Sequence, residues 1–371
     1  MVKTLGFPGR YLQGPDAILQ LTGLLLELGC KKPLVLVDKA IRQVVWEPIA
    51  SRLTDARHGI AVLEFPGECT QAVIHALAQD ARHAQADCII GFGGGKTIDT
   101  AKGIARECDA RLIIAPTIAS NDSPTSRLIV MYDENHKVST VQMMKRNPDA
   151  VLVDTAVVSR APARFFAAGL GDALSKKDEV AQCEQAGGHN FFGTPPLKTA
   201  GLLAQQCYST ILECGPAALK QISDHHMPNN DVERAVEATV LWSGLAFESG
   251  GLSIAHALTR GFSAQPGMAG YLHGEMVAFG SIVQMYAQQE SEANIRRHAQ
   301  FVSSLGLPVC FADFQGFVPT QEQILNMARL TAQAPYIGNI TPPTYLDGIV
   351  SALMASDALG RHLTANEPLT S

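Results

Sequence analysis

What most restricts this chain is a rhythm in its first 155 residues, where short continuous apolar runs are each followed by a segment of helical character. The runs are "KPLVLVDK" at 32–39, "GIAVLEF" at 59–65, "ADCIIGFG" at 86–93, "RLIIAPT" at 111–117 and "AVLVDT" at 150–155. A strand that is apolar at every position, not at alternate ones, buries both faces. The spacing therefore predicts a parallel sheet covered by helices on both sides. Between 128 and 142, "LIVMYDENHKVSTVQ" departs from the rhythm: two β-rich runs flank the polar residues Asp133 to Lys137, as in a hairpin. From about residue 160 the apolar period changes to three and four, in "PARFFAAGLGDALSKK", "KTAGLLAQQCYSTILE", "VERAVEATVLWSGLAFES" and "HGEMVAFGSIVQMYAQQ", which predicts helices. "SRAPA" at 159–163 has the Pro and small residues of a junction. The expected organisation is an α/β domain over 1–160 and a helical domain over 161–371, and 371 residues suffice for two cores.

The third run leads into Gly91-Phe92-Gly93-Gly94-Gly95-Lys96-Thr97. A Walker loop needs a glycine where Ile90 stands, and G-x-G-x-x-G fails because Lys96 holds its last position. Two readings stay open. The glycines serve a tight strand-to-helix turn, or they let the backbone approach an anion at a helix N-terminus, where Lys96 adds charge. Asp38, closing the strand "LVLVD", favours the second. A carboxylate at that place receives the ribose hydroxyls of an adenine dinucleotide and repels a 2′-phosphate, so NAD is expected over NADP. Alone, such an Asp is as well explained as a cap or turn residue.

Charge excludes other partners. A net charge of −6, with no clustered run of Lys and Arg, argues against nucleic acid. No apolar stretch approaches the roughly 18 residues that span a bilayer, and "MVKTLGFPGRYLQGPD" is unlike a secretory leader, so a cytoplasmic location without membrane attachment is expected. The eight cysteines form no C-x-x-C pair and are expected to be reduced core thiols.

Two of the eleven histidines stand out. His256 lies in the apolar "LSIAHAL" and His273 opens "HGEMVAFG"; an imidazole in such surroundings needs a partner, and a metal is one that can serve. Asp172, in "AAGLGDALS", follows a glycine-bearing stretch and reads either as an N-cap starting an apolar helix or as a metal-binding carboxylate. One carboxylate with two imidazoles leaves a coordination position open on zinc, as Lewis-acid catalysis requires.

Taken together, "GGGKTIDTAK", "APTIASNDSPTS", "APARFFAAGLGDAL", "FESGGLSIAHAL" and "YLHGEMVAFG" resemble the glycerol dehydrogenases of the iron-containing (group III) alcohol dehydrogenase superfamily. The resemblance runs from "GFPGRYLQG" to the last helices. It implies an α/β N-terminal domain with a Rossmann-like parallel sheet plus an all-α C-terminal domain, the fold shared with dehydroquinate synthase. It also implies NAD as cofactor, a catalytic Zn2+ with Fe2+ as the alternative, a small polyol substrate, and a homo-oligomer, an octamer. Carried over by residue, it puts the adenosine ribose on Asp38, the pyrophosphate on Gly94, Gly95 and Lys96, and the adenine side on Thr117. Ser126, Leu128 and Tyr132 would face the nicotinamide, Asp172, His256 and His273 would bind the metal, and Asp122 would contact the substrate hydroxyls. The implied reaction is reversible oxidation of glycerol, or of related vicinal diols such as 1,2-propanediol, with hydride passing to the nicotinamide. The chain departs from the pattern where Lys177-Asp178 replaces a Trp-Phe pair, which bears on substrate preference.

Rival readings are a reductase of 2-oxo acids or small hydroxyketones on the same fold, a lyase of the dehydroquinate synthase type, and a non-catalytic nucleotide-binding protein. The carboxylate of Asp122 disfavours the first for anionic substrates, and the lack of a phosphate-binding basic cluster disfavours the second.

Overall fold

The computed structural model describes residues 2–53, 59–133 and 138–366. Its strands are β1 (Tyr11–Gly14), β2 (Pro33–Asp38), β3 (Ala61–Phe65), β4 (Cys88–Gly93), β5 (Arg111–Pro116), β6 (Leu128–Tyr132), β7 (Val138–Met143) and β8 (Ala150–Asp154). Six of them form one sheet in the order β1-β8-β5-β4-β2-β3, every pair parallel. The five apolar runs became β2, β3, β4, β5 and β8, and β2, β4 and β8 are buried almost throughout. At the edge, β3 is partly exposed, so its apolar run covers only part of the sheet. The rhythm does not contain β1: "YLQG" is short and half-buried along its length, and it adds to the edge beside β8.

The hairpin reading holds for its strands. β6 and β7 pair antiparallel in a separate two-stranded sheet, with an irregularity between Met131 and Tyr132. Turn residues 134–137 lie outside the described residues. Beyond residue 160 the described regular elements are all helical, including Lys198–His225 and Leu346–Asn366.

The chain groups into two compact units. One comprises residues 6–166 and 220–244, and the other 1–5, 167–219 and 245–371. The grouping is discontinuous where the sequence reading drew a single cut after 160. Glu233, in the helix Asn230–Val236, explains the return of 220–244 to the sheet unit. Its backbone carbonyl and Oε2 accept from Gln13 Nε2 of β1 at 2.9 and 2.8 Å, and its Oε1 accepts from Thr155 Oγ1 just past β8 at 2.5 Å.

Each unit has its own core. In the sheet unit, Val35, Val37, Ile90, Phe92, Ile113, Ala115 and Leu152 pack with Trp46 and Leu25. In the helical unit, Ile254, Leu258 and Phe262 project from one side of the helix Ile254–Ser263 against Met276, Phe279 and Val283 of the helix His273–Ala287. That i, i+4, i+8 stripe turns His256 away from the apolar core. The eight cysteines are free thiols, seven of them buried. No helix among the described residues is long and apolar enough to cross a membrane.

Candidate functional site

In the sheet unit, strand order locates the residues expected to meet a nucleotide. From β2 the chain moves to β3 at the edge, crosses back over β2 to β4, and continues outward through β5 to β8. This is the doubly wound order whose direction reverses between β2 and β4, and ligands bind such sheets outside the carboxyl ends of the strands at the reversal. Val37 pairs with Phe92, so Asp38 and Gly93 stand side by side at those two ends. Asp38 Oδ1 accepts from the Ala40 backbone N–H at 2.8 Å, so Asp38 caps the helical turn that follows it.

Gly94 is the N-cap of the helix Gly95–Cys108, whose first turn carries no acidic residue. The cradle leaves no room for side chains. A Cβ on Gly94 would lie 2.9 Å from Ile118 Cδ1, and one on Gly95 would lie 2.9 Å from Asn121 Nδ2. A free helix start with backbone this closely packed fits a diphosphate. Thr117 follows β5, and its N–H donates to the Gly93 carbonyl at 3.1 Å. Lys96 is not simply extended toward an anion: its Nζ pairs with Glu68 Oε2 at 2.7 Å and lies 4.8 Å from the centre of the Tyr132 ring. Its charge is thereby partly balanced by Glu68, a residue the sequence reading did not single out.

Ser126 and Leu128 are held by a buried lysine that sequence reasoning missed, while the Tyr132 N–H donates to the Cys69 carbonyl at 2.8 Å. Lys102 Nζ pairs with Asp99 Oδ1 at 3.0 Å and donates to the Leu128 carbonyl at 2.7 Å and the Ser123 carbonyl at 2.8 Å; Ser126 Oγ is 3.5 Å away. Asp99 Oδ2 accepts from the Val130 N–H at 3.0 Å. One ion pair on the glycine-loop helix thus fixes the turn at 123–126 and the start of β6. Asp122 is buried in the same unit, and its Oδ2 accepts from Ser243 Oγ at 2.9 Å.

The helical unit brings Asp172, His256 and His273 together. One ligand atom from each lies within 4.8 Å of the others, a cluster able to hold a cation among the described residues. Close helix packing is the cause. A Cβ on Gly274 would fall 1.8 Å from the Ala168 carbonyl oxygen, and one on Gly280 would fall 2.6 Å from that of Ala255. Glycine at these two points lets the backbones of three helices touch. Asp172 lies in the last turn of the helix Ala163–Leu174 and does not start a helix, so the N-cap reading is corrected. The helical pattern runs on through "DALSKK", and the acid comes near its end.

His256 Nδ1 lies 2.6 Å from Glu179 Oε2, while its Nε2 is 3.2 Å from Asp172 Oδ1. Glu179 Oε1 also accepts the N–H groups of Ser253 and His256, at 2.9 and 3.0 Å. An ionised Glu179 makes Nδ1 the donor, so that once the ring gives up its second proton the Nε2 lone pair faces Asp172, the arrangement that orients metal-binding imidazoles. Glu179 was not singled out from sequence. Its signal was present, since it follows Asp172 by seven residues and so shares its helical face.

Burial opposes ionisation of Asp172, but Lys176 and then His256 outweigh it and hold the carboxyl well below its usual range. Burial would lower His256, yet Glu179 and Asp172, against Lys176, raise it to about 9. His273 is the exposed member of the cluster, and the protein packed around its ring pushes that imidazole down. Asp172 Oδ2 is buried with no hydrogen-bond partner, and an orphaned oxygen on a carboxylate grouped with two imidazoles fits a divalent cation.

Lys177 and Asp178, the departure noted in the sequence, point elsewhere. Lys177 Nζ lies over the Tyr208 ring at 4.6 Å, and Asp178 Oδ1 accepts from Gln288 Nε2 at 3.3 Å. The neighbour that enters the centre is Lys176, fully buried, with Nζ 2.6 Å from Asp172 Oδ1 and 3.3 Å from His256 Nε2.

Residues 8–155 match the model of the family described as iron-containing alcohol dehydrogenase. A glycerol dehydrogenase of Escherichia coli is 36% identical over 97% of this chain and 98% of its own length. A glycolaldehyde reductase of Halobacterium salinarum is 33% identical over 98% and 99%. The crystal structure of a probable glycerol dehydrogenase from Sinorhizobium meliloti superposes with a TM-score of 0.91 at 33% identity, covering 97% of this chain and all of that one. With relatives that share about a third of its residues along nearly their whole length, this chain belongs to the iron-containing alcohol dehydrogenase family.

Proposed function

We propose that the protein oxidises glycerol reversibly to dihydroxyacetone with NAD as hydride acceptor, and takes 1,2-propanediol and related vicinal diols by the same route. The observation that carries this reading is the set of buried Asp172 and His256 with exposed His273, with the orphaned Oδ2 of Asp172, in a chain 36% identical over nearly its full length to a glycerol dehydrogenase. A divalent cation, zinc with iron as the alternative, would be held by those three side chains and supply the Lewis acidity that makes an alcohol proton easy to lose.

The chain's own residues have separate tasks. Glu179 fixes the ring of His256 and its tautomer. Asp38 takes the ribose hydroxyls and disfavours a 2′-phosphate, and Gly94, Gly95 and Lys96 with the helix start take the diphosphate. Thr117 serves the adenine side. Ser126 and Leu128, anchored through Lys102, serve the nicotinamide end with Tyr132. Asp122 accepts a hydrogen bond from a substrate hydroxyl and discourages substrates that carry a carboxylate. The reading includes a cytoplasmic homo-oligomer, octameric by family resemblance, whose partners are small polyols and neither nucleic acid nor membrane.

A panel of glycerol, 1,2-propanediol, ethanol and lactate, each with NAD and NADP, tests the reading. Glycerol and 1,2-propanediol with NAD are expected to lead, and preference for ethanol or lactate would sink it. A second reading, reduction of a small hydroxyaldehyde, rests on the glycolaldehyde reductase relative. It would prevail if kcat/KM for glycolaldehyde reduction far exceeded that for dihydroxyacetone.

A further inference from the structure

Asp172, His256 and His273 account for the donors of the centre; Lys176 is left over. Its side chain is fully buried, so its charge was not placed there for solubility. The ammonium group sits on donor atoms of the cluster. It pairs with Asp172 Oδ1 at 2.6 Å, lies 3.3 Å from His256 Nε2, donates to the Asp172 carbonyl at 3.1 Å and is 3.4 Å from Ser175 Oγ. The i, i+4 spacing from Asp172 places it on the same helical face, so these contacts follow from the sequence position and not from a chance rotamer.

We propose that Lys176 is a built-in competitor of the metal: its ammonium holds the Asp172 oxygen and occupies the space against the His256 ring nitrogen that a divalent cation would take, and the cation enters only by expelling it. The inference rests on the reading of this cluster as a metal centre. Charge counting supports it. Asp172 and Glu179 supply two negative charges, which a divalent cation alone would balance, so a lysine in the same cavity adds a third positive charge at close range. An expelled ammonium cannot remain buried without a carboxylate, so it must move toward solvent.

The test is zinc affinity, not turnover. Metal-stripped parent, K176M, K176T and K176R are dialysed against zinc buffered by a chelator, bound metal is counted by mass spectrometry, and folding is checked by circular dichroism. K176M and K176T are expected to bind zinc at least about tenfold tighter than the parent, and K176R no tighter, because close charges and neighbours of ligands act on this scale. Equal or weaker binding by K176M and K176T would overturn the proposal while leaving the metal centre in place. If the parent and all three variants bind no zinc, the metal-centre reading itself falls, and the competition with it.

A second measurement needs no substitution. Acetylation of Lys176 in the parent, mapped by mass spectrometry, is expected to rise several-fold when zinc is added, because the amine leaves Asp172. Labelling that does not change while zinc is bound would overturn the proposal.

Discussion

Asp172 Oδ1 lies 2.6 Å from the Lys176 ammonium and 3.2 Å from His256 Nε2, while the other oxygen of the same carboxylate has no hydrogen-bond partner. One side chain is thus both half of a buried ion pair and a potential metal ligand, and the two roles separate experimentally. Asp172→Asn removes the countercharge of a fully buried lysine. It should cost about 3 to 5 kcal/mol of stability even in metal-stripped protein, the usual penalty for stranding one partner of a buried pair. Urea unfolding of the stripped variant checks this. An unchanged midpoint would mean that Lys176 does not depend on Asp172.

Glu179 touches the centre only through His256. Glu179→Gln keeps the shape but loses the charge that sets the Nδ1 donor, and zinc affinity should fall about 10- to 100-fold with the fold intact. Competition with a coloured chelator measures this, and an affinity equal to the parent's would show that His256 is oriented by something else.

In the sheet unit, Lys102 ties the glycine-loop helix to the Ser123–Ser126 turn and to β6. Lys102→Met strands Asp99 and frees the Leu128 carbonyl, so the protein should lose about 3 kcal/mol or more and bind NADH more weakly. Thermal unfolding and NADH fluorescence titration read the two effects. Loss of stability with unchanged NADH affinity would limit Lys102 to a role in folding.

His298 gives a stability change with a defined sign. Its Nε2 is 2.7 Å from Ser281 Oγ and its Nδ1 is 3.2 Å from the Tyr208 hydroxyl, and burial, with Lys177 adding, lowers its pKa from 6.5 to about 4. Between those values the unfolded chain binds a proton that the folded one refuses. Stability therefore falls as pH drops from 6.5 toward 4, by about 2 kcal/mol between pH 7 and pH 5. His298→Gln should remove that part of the slope. Denaturant midpoints at the two pH values check it, and parallel slopes in parent and variant would contradict it.

Legibility from sequence followed the physics of each element. β2, β4, β5 and β8 were visible because a strand buried on both faces leaves a continuous apolar run, whereas β1, short and half-buried at an edge, leaves none. The carboxyl ends Asp38 and Gly93 could be named, but only the strand order shows that they stand side by side at the reversal. His256 and His273 drew notice as imidazoles in apolar helices. Their meeting with Asp172 depends on backbone contacts at Gly274 and Gly280, which no residue spacing reveals. Lys102, Lys176 and Glu179 were missed for one reason. Charged residues at helical spacing read as solvated faces, and their burial is set by neighbours distant in sequence. The Lys177-Asp178 departure was seen, yet the side chain that bears on the centre is the one before it.

The most direct test of the proposed activity is glycerol-driven NADH formation by one protein sample before chelation, after chelation, and after zinc is restored. The account predicts activity that falls on chelation, returns with zinc in the parent, and does not return in His256→Ala. NADH formation from glycerol that ignores chelation, or none in zinc-loaded parent protein, would contradict it.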